Sequence, residues 1–484
     1  MVPGAIPAFG PAPLPLRRRG RTAREGVMRR LGTVALAVAL AVVLAGVVRV
    51  PATLAHPPRE TDCAGHERIR VPSARHQVSA CLDDLTTVGT VHSGHTDPAD
   101  WAGLTQESLP VPGPVPGVQI DGYFADDSTT NTTHGWDHDA QFVLRLPRDW
   151  NGGLVVSGSP GNREQYAVDR AISDWVLSKG YAFAATDKGN TGLRFYTDGD
   201  RPGDAIAEWN HRVTQLTRAA KAVVAQRYHR PPRRTLVTGL SNGGYLVRWQ
   251  LENRPELYDG GVDWEGTLWA ENGPNLVDFL PSALSAYPRY ADGGPEAARA
   301  HDAMLAAGFP AGSELLWPYH HRYYWDLTQR IYREEIDPGF DGETEAGTPF
   351  CAPGSPACDA DYDYASRPDA VHDAVERIGL TGEIGKPLVT VHGTLDVLLP
   401  IRESSDAYAR RVREQGAGPL HRYYRIAEAR TPTRWSTRIH TGCVPWRRAT
   451  VRPSGPWRRI WTTACGSRRR RRSRDPGTRR RRTW

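Results

Sequence analysis

With 484 residues, 39% of them hydrophobic and 24% charged, the chain is long enough to bury a large core and is neither a low-complexity nor a membrane-saturated sequence. The formal net charge of +7 is unevenly spread: residues 429–484 hold eighteen arginines, no lysine and one acid, Asp475, so a tail carrying +17 leaves −10 on the rest. An acidic body gives no electrostatic basis for binding nucleic acid or an anionic membrane, and directs attention to small neutral or anionic ligands.

In chain order the first element is a leader, residues 1–55. Arg29 and Arg30 precede an apolar run from Leu31 to Val48, and Thr53 and Ala55 offer a small-residue cleavage site, which predicts export. Met28 is the better start for such a leader. Cleavage implies a secreted protein with no stable membrane association; left uncut, the same segment would anchor the chain. In an oxidising compartment, Cys63 with Cys81 and Cys351 with Cys358 are expected to form two local bridges. Neither spacing is a metal signature, and no motif calls for a metal or an organic cofactor.

Residues 56–117 read as a polar N-terminal extension ending in the Pro-rich linker "LPVPGPVPGVQ". Residues 118–272 then alternate short apolar runs with helical stretches. The runs are "QFVLRLP" (141–147), "GGLVVSGS" (152–159), "YAFAATD" (181–187) and "RTLVTGL" (234–240), and "YDGGVDWEGTLWAENGP" adds a further strand and turn. Between them, "REQYAVDRAISDWVLSKG" and "HRVTQLTRAAKAVVAQRY" carry apolar residues at three- and four-residue spacing. That alternation predicts the α/β class, with a mostly parallel sheet covered by helices. Residues 273–385 lose the alternation and become aromatic-rich. The sheet resumes in residues 386–428, with "KPLVTVHGTLDVLLP", a helix in "SSDAYARRVREQG" and a last strand in "HRYYRIA". The middle block is therefore expected to be an inserted lid.

Gly239-Leu240-Ser241-Asn242-Gly243 has the form of a nucleophile elbow, in which a strand-to-helix turn too tight for flanking side chains holds the serine in a strained, exposed position. Such an elbow predicts one oxyanion donor at the backbone N–H of Asn242 and a second in the loop after an earlier strand, where "SGSPGNREQY" offers Ser159 or a neighbour. Asp396, just past the strand in "VHGTLDVLLP", follows the serine in chain order and suits the acid that orients a histidine. Asp187 in "ATDKGN" also ends a strand but precedes Ser241, so a structural or pocket-forming role is expected.

Together, "GLSNGGYLVRW", "SGSPGN", "ATDKGN", "DGGVDWEG" and "VHGTLDVLLP" resemble the secreted bacterial α/β-hydrolases related to tannases, feruloyl esterases and 3-hydroxybutyrate-oligomer hydrolases. The resemblance covers roughly residues 118 to 427 and implies the α/β-hydrolase fold, serine esterase chemistry on a small-molecule ester, and a lid over the pocket. It also implies a histidine in the loop after the last strand, directly following "HRYYRIAE".

No histidine stands there. The next is His440, in a segment from Ala429 onward that has no leucine, lysine, phenylalanine, tyrosine or glutamate and cannot complete a core. Arg-, Pro-, Ala-, Gly- and Thr-rich output is what a G+C-rich gene gives out of frame. Displaced by two bases, with G or C at the free positions, the codons from Glu428 onward are compatible with Gly-Ala-His-Ala-Asp-Ala-Val-Val-Asp-Ala, and with Tyr-Pro after it where the next free base is T. The expectation is a frameshifted tail over residues 429–484, which also takes in Cys443 and Cys465; the alternative is a genuine disordered basic arm. His440 is a weak candidate for the base. His392, beside the acid, is expected in the core, and His320 and His321 fall in the lid.

Trp317, Tyr319, Tyr323, Tyr324, Trp325 and Tyr332 make the lid aromatic, suited either to an apolar pocket or to the burial of a helix's own face. Two other classes of function stay open. Gly243-Gly244-Tyr245 is similar to prolyl-oligopeptidase-like elbows, although no propeller-like region precedes it. A non-catalytic protein with a polyanion-binding arm is the third, marked by steeply salt-dependent binding.

Overall fold

The computed structural model describes residues 63–104, 109–340 and 359–429. The leader, Cys351, Cys358, His440 and the basic tail lie outside them.

One nine-stranded sheet organises the chain. Its strands are β1 (Ala74–Leu82), β2 (Gly117–Phe124), β3 (Gln141–Pro147), β4 (Gly153–Gly158), β5 (Ala182–Thr186), β6 (Arg234–Leu240), β7 (Gly260–Trp264), β8 (Leu388–Gly393) and β9 (His421–Ile426), in spatial order β1-β2-β3-β5-β4-β6-β7-β8-β9. The pairs β1/β2, β2/β3 and β3/β5 are antiparallel, and every pair from β5 through β9 is parallel. This is the α/β-hydrolase arrangement. Because successive side chains point to opposite faces, Leu144, Leu154, Val156, Ala182 and Ala184 enter one core while Val143, Val155, Phe183 and Ala185 enter another. Strands buried on both faces read as the continuous apolar runs of the sequence.

The long helix Asp204–Tyr228 covers the first core with Ile206, Trp209, Val213, Leu216, Ala220 and Val224, a stripe at helical spacing. Between β7 and β8 stand the helices Leu276–Ala291, Ala297–Ala306 and Asp369–Ile378, together with an unbroken run of helical turns from Trp317 to Ile336. Among the described residues, no helix is long and apolar enough to cross a membrane.

Residues 56–117 are not an appendage. Within them β1 pairs along its length with β2 as the outermost strand of the same sheet. The disulfide between Cys63 and Cys81 ties the segment that precedes β1 to the end of that strand. The sequence hides this strand because it lies at an edge, with His76, Val78 and Arg75 toward solvent, so its pattern is too polar to read as a core strand. The boundary expected at residue 117 is thus bridged by a hydrogen-bonded ladder.

Candidate active site

Ser241 sits at the switch from β6 to the helix Asn242–Asn253, with φ 58° and ψ −120°, a backbone conformation that costs a non-glycine residue on the order of 1–3 kcal/mol. Neighbouring groups hold it there. Its N–H donates to Trp264 O at 2.9 Å, and its carbonyl accepts from Tyr245 N at 3.0 Å and Thr267 N at 3.3 Å. The glycines are sterically required. A Cβ on Gly239 would stand 2.3 Å from Gly243 O, and one on Gly243 would stand 2.6 Å from Gly158 O. Gly244 presses on the next strand, where a Cβ would lie 2.5 Å from Asp263 Oδ1. The orphan N–H groups of the helix's first turn, with that of Asn242 first, converge beside the serine and favour negative charge there.

The loop after β4 meets this turn through Gly161 O, which accepts from Asn242 Nδ2 at 3.1 Å. Ser159 does not present the donor expected of it. Its N–H donates to Thr186 O at 3.1 Å, and its hydroxyl donates to Arg163 O at 2.5 Å while accepting from Lys188 Nζ at 2.6 Å. Pro160 has no N–H, which leaves Gly161 as the neighbouring candidate. Lys188, with φ 81°, is wholly buried beneath this loop, where its ammonium also reaches Asp187 O at 3.1 Å and lies 4.9 Å from the centre of the Trp209 ring. Burial pulls its pKa down to about 7, against the opposing charge of Asp187. Asp187 clamps the loops: it accepts from Asn131 Nδ2 at 2.8 Å, Gln141 N at 2.9 Å and Gly189 N at 2.9 Å, and burial raises it to about 7.

Asp396 lies three residues past the end of β8, fully buried, with Oδ1 accepting from Leu398 N at 2.9 Å and Leu399 N at 3.0 Å. His392 approaches its other oxygen at 3.4 Å but is committed elsewhere. Its Nε2 faces Leu399 O at 2.9 Å, which only accepts, so in the neutral ring Nε2 carries the proton and Nδ1 accepts from Ser405 Oγ at 2.7 Å. Ser405 in turn accepts from Arg248 Nη2 at 2.7 Å, and Arg248 Nε pairs with Asp263 Oδ2 at 2.7 Å. This buried chain locks the elbow helix, β7 and the acid loop together.

Two further buried groups feel the charge of Asp396. Glu265, at the end of β7 with φ 52°, accepts from Gly393 N at 3.1 Å through Oε1, while its Oε2 is buried without a hydrogen-bond partner. Burial and the charges of Asp396 and Asp263 raise its pKa well above the ordinary carboxylate range, which favours its protonated form. From the lid comes His320, 4% exposed, with Nδ1 buried and unpartnered. Each such atom costs about 1–3 kcal/mol. Burial pulls the His320 imidazole down to about 4, with the Asp396 charge acting against the shift. Past β9, Ala429 O accepts from Leu395 N at 2.9 Å, so the chain leaves the sheet beside the residue that precedes Asp396.

The lid aromatics divide. Trp317, Trp325 and Tyr332 are buried; Trp325 Nε1 donates to Val397 O at 2.7 Å, and the Tyr332 hydroxyl meets Asn242 Nδ2. Tyr319, Tyr323 and Tyr324 are half-buried or exposed and lie against one another, with ring centres 5.0 to 5.6 Å apart. Sequence reasoning missed Lys188, Glu265 and Arg248 as partners of the site. The signal lay in charged residues inside or at the ends of strongly apolar strand and helix patterns.

Residues 128–264 match the family model described as tannase and feruloyl esterase, a span that takes in the loop after β4 and the elbow and stops before Asp396. Over 141 residues the chain is 29% identical to mono(2-hydroxyethyl) terephthalate hydrolase of Piscinibacter sakaiensis, covering 26% of this chain and 23% of that protein. The chain therefore spans about a quarter (23%) of the length of this curated relative. Among solved structures it is similar to feruloyl esterase B from Aspergillus oryzae, at 13% identity and TM-score 0.48 over 76% of this chain and 83% of that one. It is also similar to tannin acyl hydrolase from Aspergillus niger, at 13% identity and TM-score 0.45 over 78% of this chain and 83% of that one.

Proposed function

We propose, from an α/β-hydrolase fold whose residues 128–264 match the tannase and feruloyl esterase family, that this protein hydrolyses carboxylic esters through an acyl-enzyme on Ser241. The observation that carries the proposal is the backbone of Ser241, strained at a strand-to-helix turn that two glycines alone can close. Ser241 Oγ attacks the ester carbonyl carbon and gives its proton to a base; the carbonyl electron pair moves onto oxygen, facing the N–H of Asn242 and of the loop at Gly161. The tetrahedral species collapses with loss of the alcohol, which takes the proton from the base. Water then attacks the acyl-enzyme by the same sequence, releasing the acid and restoring Ser241. Asp396 is the acid that orients the base and stabilises its charged form.

The base is assigned to the loop after β9, in the displaced reading frame. Support comes from Ala429, bonded to the residue before Asp396, because the displaced frame writes its histidine within two or three residues of that point. The substrate is a small ester with an apolar or aromatic part. The cluster of half-buried or exposed rings of Tyr319, Tyr323 and Tyr324 supports that, as does the relative's name, which specifies an aromatic monoester. The leader and the Cys63–Cys81 bridge support secretion.

Hydrolysis of 4-nitrophenyl butyrate and of an aromatic methyl ester, by the full chain and by Ser241→Ala, tests the proposal. Slow turnover that disappears in S241A is expected, together with fluorophosphonate labelling of Ser241. Equal rates in the two proteins would overturn it.

A further inference from the structure

An oxyanion site needs N–H groups presented and carbonyl oxygens withdrawn, and in the loop after β4 each carbonyl from Pro160 to Arg163 is held by a donor. Pro160 O accepts from Arg163 N at 3.2 Å, Gly161 O from Asn242 Nδ2 at 3.1 Å, Asn162 O from Gly192 N at 2.9 Å and Arg163 O from Ser159 Oγ at 2.5 Å. We propose that Lys188 is the positioning residue of this loop: its ammonium fixes the Ser159 hydroxyl on Arg163 O and so keeps the Gly161 N–H facing the carbonyl oxygen of the ester. The inference rests on the reading above in which Ser241 attacks and the N–H groups of Asn242 and Gly161 receive that oxygen.

The first three of those bonds come from neutral groups that do not titrate; the fourth hangs on one hydroxyl proton. Lys188 Nζ lies 2.6 Å from Ser159 Oγ, and both side chains are fully buried. An ammonium only donates and a hydroxyl carries a single proton, so Ser159 accepts from Lys188 and has its own proton left for Arg163 O. The N–H of Ser159 is tied to Thr186 O and that of Lys188 to Thr186 Oγ1, each at 3.1 Å, so the end of β5 sets the two side chains against each other. Burying an ammonium is costly, and a methionine would fill the same path without that cost, so packing against the Trp209 ring does not by itself account for the residue. Loss of the ammonium proton to solvent gives Nζ a lone pair that competes for the Ser159 proton, and Arg163 O then loses its donor. Burial brings that loss down to about pH 7, against the charges of Asp187 on its own segment, Glu164 from the loop after β4 and Asp139 from the segment before β3. The long helix contributes the uncharged Trp209 ring. The loop is therefore pinned below about pH 7 and released above it.

The test compares the full chain with K188M, S159A, the double variant of these two and S241A, each checked for folding by its thermal melt. The readout is the Ser241-dependent release of 4-nitrophenol from its acetate, resolved into kcat and KM between pH 5.5 and 9. At pH 5.5, K188M and S159A are each expected to lower kcat by roughly tenfold with KM little changed, and the double variant to fall no further than either alone. The ratio of parent to K188M should shrink toward one by pH 9. K188M keeps Asp187, so a ratio that does not change with pH would assign the effect to Asp187 or to packing and overturn the inference. Unchanged kcat in S159A, or additive losses in the double variant, would overturn it as well, and S159A decides the matter if K188M does not fold. All of these outcomes leave the role of Ser241 standing. Equal rates in S241A and the parent chain would overturn the role of Ser241 and this inference with it.

Discussion

The two ends of the candidate site are built differently. At the nucleophile end, between β4 and the helix Asn242–Asn253, backbone hydrogen bonds and close glycine contacts fix Ser241, and the supporting side chains Arg248, Asp263 and Lys188 are each hydrogen-bonded. Toward the acid end and the lid, Glu265 Oε2 and His320 Nδ1 are buried without hydrogen-bond partners. On the proposed function, the site is hydrogen-bonded where it rests on local chain geometry and under-satisfied toward the loop after β9, to which the base is assigned.

Supplying that segment should have the largest effect. Adding one base near codon 428, so that the displaced frame is read, is expected to raise kcat/KM on 4-nitrophenyl esters by about 10³-fold, since loss of a triad member typically leaves only residual catalysis. An unchanged rate in the repaired protein would remove the contrast between the two ends. Breaking the nucleophile end should cost less in rate but register in stability. Gly243→Ala forces its Cβ against Gly158 O and is expected to lose about 1–3 kcal/mol in urea denaturation, and to slow Ser241 labelling by roughly tenfold as the turn shifts. Wild-type stability would show that the turn has slack.

The smallest effect is expected at the acid end, as a pH dependence. Glu265 has a folded pKa raised above its unfolded value of 4.5, so between those two values the folded state holds the extra proton and stability falls as pH rises. Glu265→Gln keeps the acceptor for Gly393 N–H and carries no titrating group. Its stability relative to the parent should be level near pH 4 and rise by ~1 kcal/mol or more at neutral pH, where the parent bears the strain of the buried acid. A difference independent of pH, by denaturation at pH 4.5, 6 and 7.5, would show that Glu265 is not the titrating group.

Much of this was legible in the sequence for a definite reason. Strands β3 to β6 announce themselves because burial on both faces demands continuous apolar runs, and the elbow does so because only glycine tolerates the contacts at positions 239 and 243. Edge strand β1 did not, since half of it faces water and its residues carry no apolar period. Ser159 was misjudged as a donor because a loop sequence does not say which carbonyl its N–H will meet; here Thr186 O takes it.

By itself, then, the sequence determined the α/β order, the position of Ser241 and Asp396 past their strands, and the break in residue usage after Glu428. All of these are properties of neighbours along the chain. Only the tertiary structure decided that Lys188 underlies the loop after β4, that Glu265 and His320 are buried with an unpartnered polar atom each, and that Ala429 leaves the sheet beside the residue before Asp396. Those placements join residues tens to hundreds of positions apart, and burial, which sets their charge states, exists only once the sheet, the lid and the loops have packed together.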